Sequence, residues 1–158
     1  MSKIIYTQEN GVVAVVHPSD QSLKEMTIEE IAQRVVPVGT TYSIVADSVI
    51  PTDRSFRNSW VGVGIGSTSG TTITEDMTKA KELHKAKIRE LRVDKLAALD
   101  IEYQRALEIS ADTSDIVAKK QALRDAPAAS GIATAVKTTD LKDQWDTSIL
   151  GASPYSNK

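Results

Sequence analysis

The sequence predicts an α+β protein with a small N-terminal β-β-α-β unit, a Gly-rich linker and a C-terminal region of helices that includes a helical hairpin. The β-rich runs and tight-turn signals occur in the first sixty residues, and a stretch rich in Gly and Ser follows them. A long helical pattern without Pro or Gly then begins near Thr74. Segregation of strands and helices along a chain is typical of α+β architecture. The predicted parts are a domain at 1–60, a linker at 61–73, and a helical domain at 74–158 with a long helix at about 76–110.

The N-terminal unit is predicted to be a three-stranded sheet with one helix. Asn10-Gly11 lies between the first two β-rich runs and is a strong signal for a tight hairpin turn. A helix is predicted to start at Ser22 or Thr27. Thr27 followed by Glu30 has the spacing of a capping box, and Val36-Pro37 ends the helix. We expect the helix to cover one face of the sheet. The three strands are predicted at residues 3–7, 12–17 and 41–46.

The most individual stretch of the chain is 53–60, with the sequence DRSFRNSW. Arg and Trp are frequent anchors at protein interfaces, so Phe56, Arg57 and Trp60 are candidate partner-binding residues. The alternative is a structural clamp, in which Phe56 and Trp60 fill a gap under the small sheet. We favour the clamp, because two aromatic side chains four residues apart can be tucked inward together.

Gly62, Gly64 and Gly66 suggest a phosphate-binding loop at first sight. A dinucleotide-binding loop needs the spacing G-x-G-x-x-G directly before a helix, whereas this spacing is G-x-G-x-G and the helical pattern starts about ten residues later. No Gly-Lys-Ser/Thr sequence follows. The pattern therefore favours a linker over a ligand site.

The long helix is predicted to carry one apolar stripe, with charged residues on the opposite side. A helix of this length spans about 50 Å, which exceeds the width of a small domain. Part of the stripe is therefore expected to pack on another chain. His84 has no second ligand residue three or four positions away, so we interpret it as a core or interface residue and not as a metal ligand. The stripe comprises Met77, Ala80, His84, Ile88, Leu91, Leu99, Tyr103 and Ala106 or Leu107.

Shorter helices are predicted after the long one. A helix that starts at Thr113 and ends before Pro127 is expected to fold back on the long helix as an α-hairpin. The run SGIATAV is ambiguous, since Gly131 disfavours a helix. A last helix is expected from Thr138 or Thr139 to Gly151, with Trp145 on its apolar side, followed by a tail at 152–158.

Composition excludes several functional classes. The chain has 158 residues, a net charge of −2, no Cys and no block of like charge, which argues against a nucleic-acid footprint or a polybasic membrane surface. Its apolar runs are far too short to span a bilayer, and the N-terminus does not resemble a signal peptide. We expect a protein made in the cytoplasm.

No residue pattern predicts an enzyme. The adjacent carboxylates Glu29-Glu30 and Glu75-Asp76 lie near helix starts, where acidic residues favour the helix dipole, and no Ser has the context of a nucleophile. The sequence predicts no catalytic residue, no cofactor, no metal and no small-molecule substrate. The predicted partner-binding residues are Phe56, Arg57, Trp60, His84, Ile88, Leu91, Leu99, Tyr103 and Trp145.

Three segments of the chain resemble a group of small tailed-bacteriophage proteins encoded among virion genes. They are KIIYTQENGVVAVVHP, VPVGTTYSIVADSVIPTDRSFRNSW and DMTKAKELHKAKIRELRVDKLAALDIEYQRALE. The most specific part is the IP-TDR-FRN-W block followed by the helix KIRELRVDKLAALDIEYQRALE. The group is often described as tail-fibre or tail-assembly proteins and has no shared catalytic motif.

The resemblance implies a non-enzymatic structural component of the virion, located in the tail, fibre, baseplate or neck. Such a protein is made in the host cytoplasm and docks, as a homo-oligomer or in several copies, on other virion proteins. The alternative is an assembly chaperone that covers a tail or tail-fibre protein and is absent from the mature particle. An enzyme or a host-directed inhibitor has no support at the level of residues.

Overall fold

The computed structural model describes residues 1–67 and 70–155. The chain divides into two compact units, Met1–Asp76 and Met77–Lys158. The first unit contains all the described strands, and the second consists of a long helix followed by shorter helices. The predicted α+β class, with strands first and helices after them, is confirmed.

The first unit is built on a three-stranded antiparallel sheet with strand order β2-β1-β3. The tight turn between β1 and β2 forms as predicted: the Asn10 side chain accepts a hydrogen bond from the Val12 amide at 3.0 Å, and Gly11 has a φ of 74°. A positive φ suits Gly because it has no Cβ to clash with the backbone. The strands are β1 (Ser2–Thr7), β2 (Val13–Val16) and β3 (Tyr42–Ala46).

Two short helices connect β2 to β3, where the sequence predicted one. They are α1 (Asp20–Glu25) and α2 (Ile28–Val35). The predicted capping box is present at the start of α2: the Glu30 amide donates to the Thr27 hydroxyl at 3.2 Å, and the Thr27 amide donates to the Glu30 carboxylate at 2.7 Å. A second cap at Ser19 starts α1, because its hydroxyl accepts from the Ser22 amide at 3.1 Å.

The segment predicted as a Gly-rich linker, 61–73, contributes two strands. β4 (Trp60–Val63) and β5 (Thr72–Glu75) pair as an antiparallel hairpin. The Gly66 amide donates to the Ser43 hydroxyl at 2.8 Å, which ties this loop to β3. The linker prediction fell partly on Thr68 and Ser69, which lie outside the described residues.

Both faces of the three-stranded sheet are covered, although the sequence predicted cover on one face. Ile4 and Ile5 alternate along β1 and are both completely buried. Ile4 packs in a cluster with Ile31, Ala32 and Val36, the last of which follows α2 directly. Ile5 packs on the other face in a cluster that contains Trp60 and is completed by Val13, Val45 and Ile50.

The second unit begins with α3 (Met77–Glu108), which matches the predicted long helix to within two residues. A short turn at 109–113 leads into α4 (Ser114–Asp125), so the predicted α-hairpin forms. Ser110 has a positive φ of 53°, and the Ala111 amide donates to the Ala106 carbonyl at 2.9 Å, which closes the end of α3. No helix in the described part of the chain is long and apolar enough to cross a membrane.

Three short helices complete the second unit. The ambiguous run SGIATAV contains α5 (Ser130–Thr134). The single last helix of the prediction is two helices, α6 (Thr138–Asp143) and α7 (Thr147–Leu150). Asp146 causes the break, because its carboxylate accepts from the Ser148 amide at 2.9 Å and caps a new helix.

Candidate functional site

Phe56 and Trp60 are part of the interior of the protein, as the clamp interpretation predicted. Phe56 is 1% exposed and Trp60 is fully buried. The turn between them is short: the Ser59 amide donates to the Phe56 carbonyl at 2.8 Å, and Trp60 then starts β4. Neither ring offers a surface to a partner, so the interface interpretation of these two residues is corrected. Arg57 lies on the surface.

His84, Ile88 and Trp145 are also buried, at 0%, 1% and 5% exposure. His84 Nδ1 lies 2.8 Å from the Tyr155 hydroxyl, and the two rings stack with centroids 5.7 Å apart. The Trp145 ring meets both of them edge-on, at 5.9 Å and 5.8 Å between centroids. These side chains fasten the end of the described chain to α3, which replaces their predicted role in partner binding.

Sequence reasoning missed Tyr155, because 152–158 was interpreted as a tail. The available signal was a single aromatic residue in an otherwise polar segment, ASPYSNK. Tyr155 is only 6% exposed. The Lys87 ammonium lies 4.8 Å from the centre of its ring and contributes a cation–π contact.

The pKa values of this aromatic cluster favour neutral side chains. Burial, with a smaller contribution from the Lys87 charge, lowers the pKa of His84 to about 4. Burial raises the pKa of the Tyr155 phenol. Acid–base catalysis near neutral pH needs a group that gains and loses a proton easily in that range. The arrangement disfavours such proton exchange and fits a structural contact.

The outer part of the α3–α4 hairpin, residues 89–122, is the candidate functional site, and we call it the outer hairpin. The buried residues of α3 are Ala80, His84 and Ile88, all in its first twelve positions. Not one residue from 89 to 122, all of which the structure describes, is buried. Six large apolar side chains are exposed there: Leu91 at 42%, Val93 at 60%, Ile101 at 53%, Leu107 at 54%, Ile109 at 77% and Val117 at 48%.

These exposed side chains do not form the single stripe that the sequence predicted. At 100° per residue, Val93 and Ile101 lie about 120° and about 160° around the helix axis from Leu99, which is half-buried. The side of α3 that was expected to be uniformly charged therefore carries apolar residues as well. One neighbouring helix cannot cover several sides of α3 at once. Val93 and Ile101 were missed because they lie off the stripe, and Ile109 and Val117 because they follow the end of α3.

The side of α3 that faces α4 carries the remaining predicted residues, Leu99 and Tyr103, both half-buried. Lys120 of α4 forms an ion pair with Asp100, and its ammonium lies 5.0 Å from the centre of the Tyr103 ring. These contacts hold the two helices together at mid-length. Leu91 and Leu107 lie outside this contact and are exposed.

A shallow apolar groove runs beside this contact, with a volume of about 260 Å³. Its floor is formed by Ala98, Leu99, Ala122, Leu123 and Ile149, and charged side chains of Lys95, Glu102 and Lys119 stand at its rim. An apolar floor with a charged rim has the composition of a protein–protein contact. The groove and the exposed side chains together make up the apolar surface of this part of the second unit.

Within residues 1–67 and 70–155, no group of three or more His, Asp or Glu residues has an arrangement that holds a metal ion. No known protein family, curated protein or solved structure matches the chain.

Proposed function

We propose that this chain is a non-enzymatic structural component of a tailed-bacteriophage particle and acts by protein–protein docking. The outer hairpin is the docking element, and its partners are other virion proteins that it contacts in several copies. The location is the tail, fibre, baseplate or neck of the virion, after synthesis in the host cytoplasm. The observation that carries the proposal is a stretch of 34 residues, 89–122, without one buried residue and with six exposed large apolar side chains.

The resemblance to small phage virion proteins supports the same element. Its most specific helical segment, KIRELRVDKLAALDIEYQRALE, covers 87–108 and so contains most of the outer hairpin's part of α3. Val93 and Ile101 of this segment are exposed, at 60% and 53%, and docking would cover them.

The free energy gained by burying these side chains is comparable to the cost of association. Complete burial of one such side chain stabilises by about 1.5–3 kcal/mol, and the six are roughly half-exposed, so covering them gives on the order of 5–10 kcal/mol. Association costs about 4–15 kcal/mol in lost freedom of motion. One outer hairpin thus gives weak binding on its own, and docking in several copies makes the assembly stable.

The alternative is a tail or tail-fibre assembly chaperone that is absent from the mature virion. The same exposed apolar residues favour it, since a chaperone must present an uncovered apolar surface after release. The two functions differ in where the protein is found at the end of infection.

Quantitative peptide mass spectrometry of purified virions distinguishes the two. We expect the chain in particles at a copy number that matches a symmetric part of the tail or neck. Its presence in infected-cell lysate together with absence from particles would contradict the structural proposal and favour the chaperone. Enzymatic activity of the chain that persists after the exposed side chains of the outer hairpin are substituted would contradict both the structural and the chaperone function.

A further inference from the structure

We propose that the second unit contains a binding site for an acidic polypeptide segment, on the opposite end of α3 from the tip of the outer hairpin. The site is a cavity of about 380 Å³ lined by the cationic side chains of Lys85, Arg89, Arg92 and Arg124. It does not depend on the virion assignment, because binding can be measured on the isolated chain.

The cationic side chains of α3 form a row in which the two ends have a structural role. Lys81, at one end, donates to the Ala133 carbonyl at 2.6 Å. Arg92, at the other end, donates through Nη1 to the carbonyls of Leu123 and Arg124, at 3.2 Å and 2.8 Å. These bonds hold the chain from the end of α4 to α5 against α3, and so they fix the cavity between them.

Lys85 and Arg89 lie between these ends and face the cavity. Both are close to one carboxylate, Glu82, at 2.9 Å and 3.8 Å. Their charges, and above all the hydrogen bond from Lys85, lower the pKa of Glu82. The guanidinium of Arg124 forms no ion pair or hydrogen bond with any residue that the structure describes.

The local charge therefore favours an anion. Four cations line the cavity, and among the described residues the carboxylate that forms ion pairs with two of them is Glu82, on a chain whose net charge is −2. Guanidinium groups bind carboxylates and phosphates through paired hydrogen bonds. The immobilised Arg92 loses little further freedom when an anion binds, which favours binding.

The apolar wall of the cavity favours an organic anion over an inorganic one. Ala128, Ala129 and Ala133 are exposed on the side opposite α3 and offer apolar surface without a hydrogen-bond donor on the side chain, whereas Pro127 beside them is buried. An inorganic ion would leave that surface wet, whereas a peptide with Glu or Asp side chains covers it with its own aliphatic atoms. Nucleic acid needs a longer cationic track, and the carboxylate of Glu82 already pairs with Lys85 and Arg89. The geometry thus points to carboxylates of a peptide.

Isothermal titration calorimetry on the full chain tests the site, with a blocked peptide of alternating Glu and Ala as the probe. We expect saturable binding that weakens as NaCl rises from about 0.05 to about 0.5 M, as screening of charge requires. The double variant Arg89→Gln/Arg124→Gln is expected to weaken binding about tenfold, because it removes two charge-assisted contacts. The same peptide with Gln in place of Glu should not bind.

The matched control is Lys24→Gln/Arg34→Gln, which removes the same charge from exposed positions on α1 and α2, outside both the cavity and the outer hairpin. It should bind the peptide as the unmodified chain does. Circular dichroism melts should show that both double variants are folded. Equal loss in both variants would overturn the site in favour of general charge attraction. Absent peptide binding, or tighter binding of inorganic phosphate or of a short oligothymidylate, would overturn the assignment to an acidic peptide.

Discussion

The folding stability of this protein depends on pH through individual buried polar residues, and His84 is the clearest case. Its pKa in the folded chain is about 4, below its ordinary value of 6.5. A base with a lowered pKa favours the folded state most when it is neutral, so its contribution is complete above pH 6.5. The contribution is lost between pH 6.5 and pH 4, because the unfolded chain takes up the proton first. The full loss is about 3 kcal/mol.

We therefore expect the free energy of unfolding to fall by about 2 kcal/mol between pH 7 and pH 5. Urea unfolding followed by circular dichroism measures this difference. His84→Gln should reduce the difference to a few tenths of that value, whatever it does to stability at pH 7. His17→Gln is the comparison variant: slight burial and the nearby charge of Lys3 lower the pKa of His17 as well, so it should also reduce the difference, but by less than His84→Gln because His17 is exposed. A pH dependence that survives in His84→Gln would contradict the lowered pKa.

Trp60 is the second residue whose substitution has a specific expected effect on stability. Its complete burial in the cluster of Ile5, Val13 and Val45 predicts that Trp60→Ala destabilises the first unit by about 3–5 kcal/mol through lost burial and a cavity. Thermal and urea unfolding measure the change. Val63→Ala, on the same strand and 51% exposed, should change stability by less than about 0.5 kcal/mol. Unchanged stability in Trp60→Ala with lost assembly would instead identify an interface residue.

At the scale of elements, the sequence predicted those features whose cause is local. The turn at Asn10-Gly11, the capping box from Thr27 to Glu30 and the extent of α3 each depend on residues within a few positions of one another. Features with a distant cause were not predictable. The β4–β5 hairpin looked like a linker because its loop is held by Ser43, which is 23 residues from Gly66.

In the candidate site, too, features with a local cause were predictable and features with a distant cause were not. The apolar and charged positions of α3 predicted a helix that needs a partner, but burial along it could not be deduced. Tyr155 covers His84 from 71 residues away, which removed His84, Ile88 and Trp145 from the predicted binding surface. The exposed residues Val93 and Ile101 depend on which side α4 occupies, and that choice is a tertiary one.

The two halves of α3 should respond differently to truncation. Ile88→Ala is expected to cost about 2–5 kcal/mol, because Ile88 is 1% exposed and the substitution leaves a cavity. Ile101→Ala, on the same helix and of the same chemistry, should change stability by less than about 0.5 kcal/mol, since Ile101 is 53% exposed. Chemical unfolding of both variants measures the contrast. Similar losses at the two positions would show that the outer hairpin contributes to the core of this chain.

At the scale of the whole molecule, the two units differ in how they bury their apolar side chains. The sheet of the first unit has both faces covered, and Trp60, its largest buried side chain, lies in one of the two clusters. The second unit keeps its buried residues at one end of α3 and exposes apolar residues along the rest. Folding of this chain does not require the second pattern, and the proposed docking on a partner would cover the exposed residues.

Incorporation of a charged outer-hairpin variant into phage particles tests this account most directly. Particles are produced with the unmodified chain, with Ile101→Asp/Val117→Asp, or with the control Val136→Asp, whose side chain is 73% exposed in the second unit outside the outer hairpin. The copy number in purified particles is then measured by mass spectrometry. We predict that the unmodified chain and the control are present in equal copy number, and that the double variant is folded in the lysate but absent from particles. Incorporation of the folded double variant at the unmodified copy number would contradict docking through the outer hairpin.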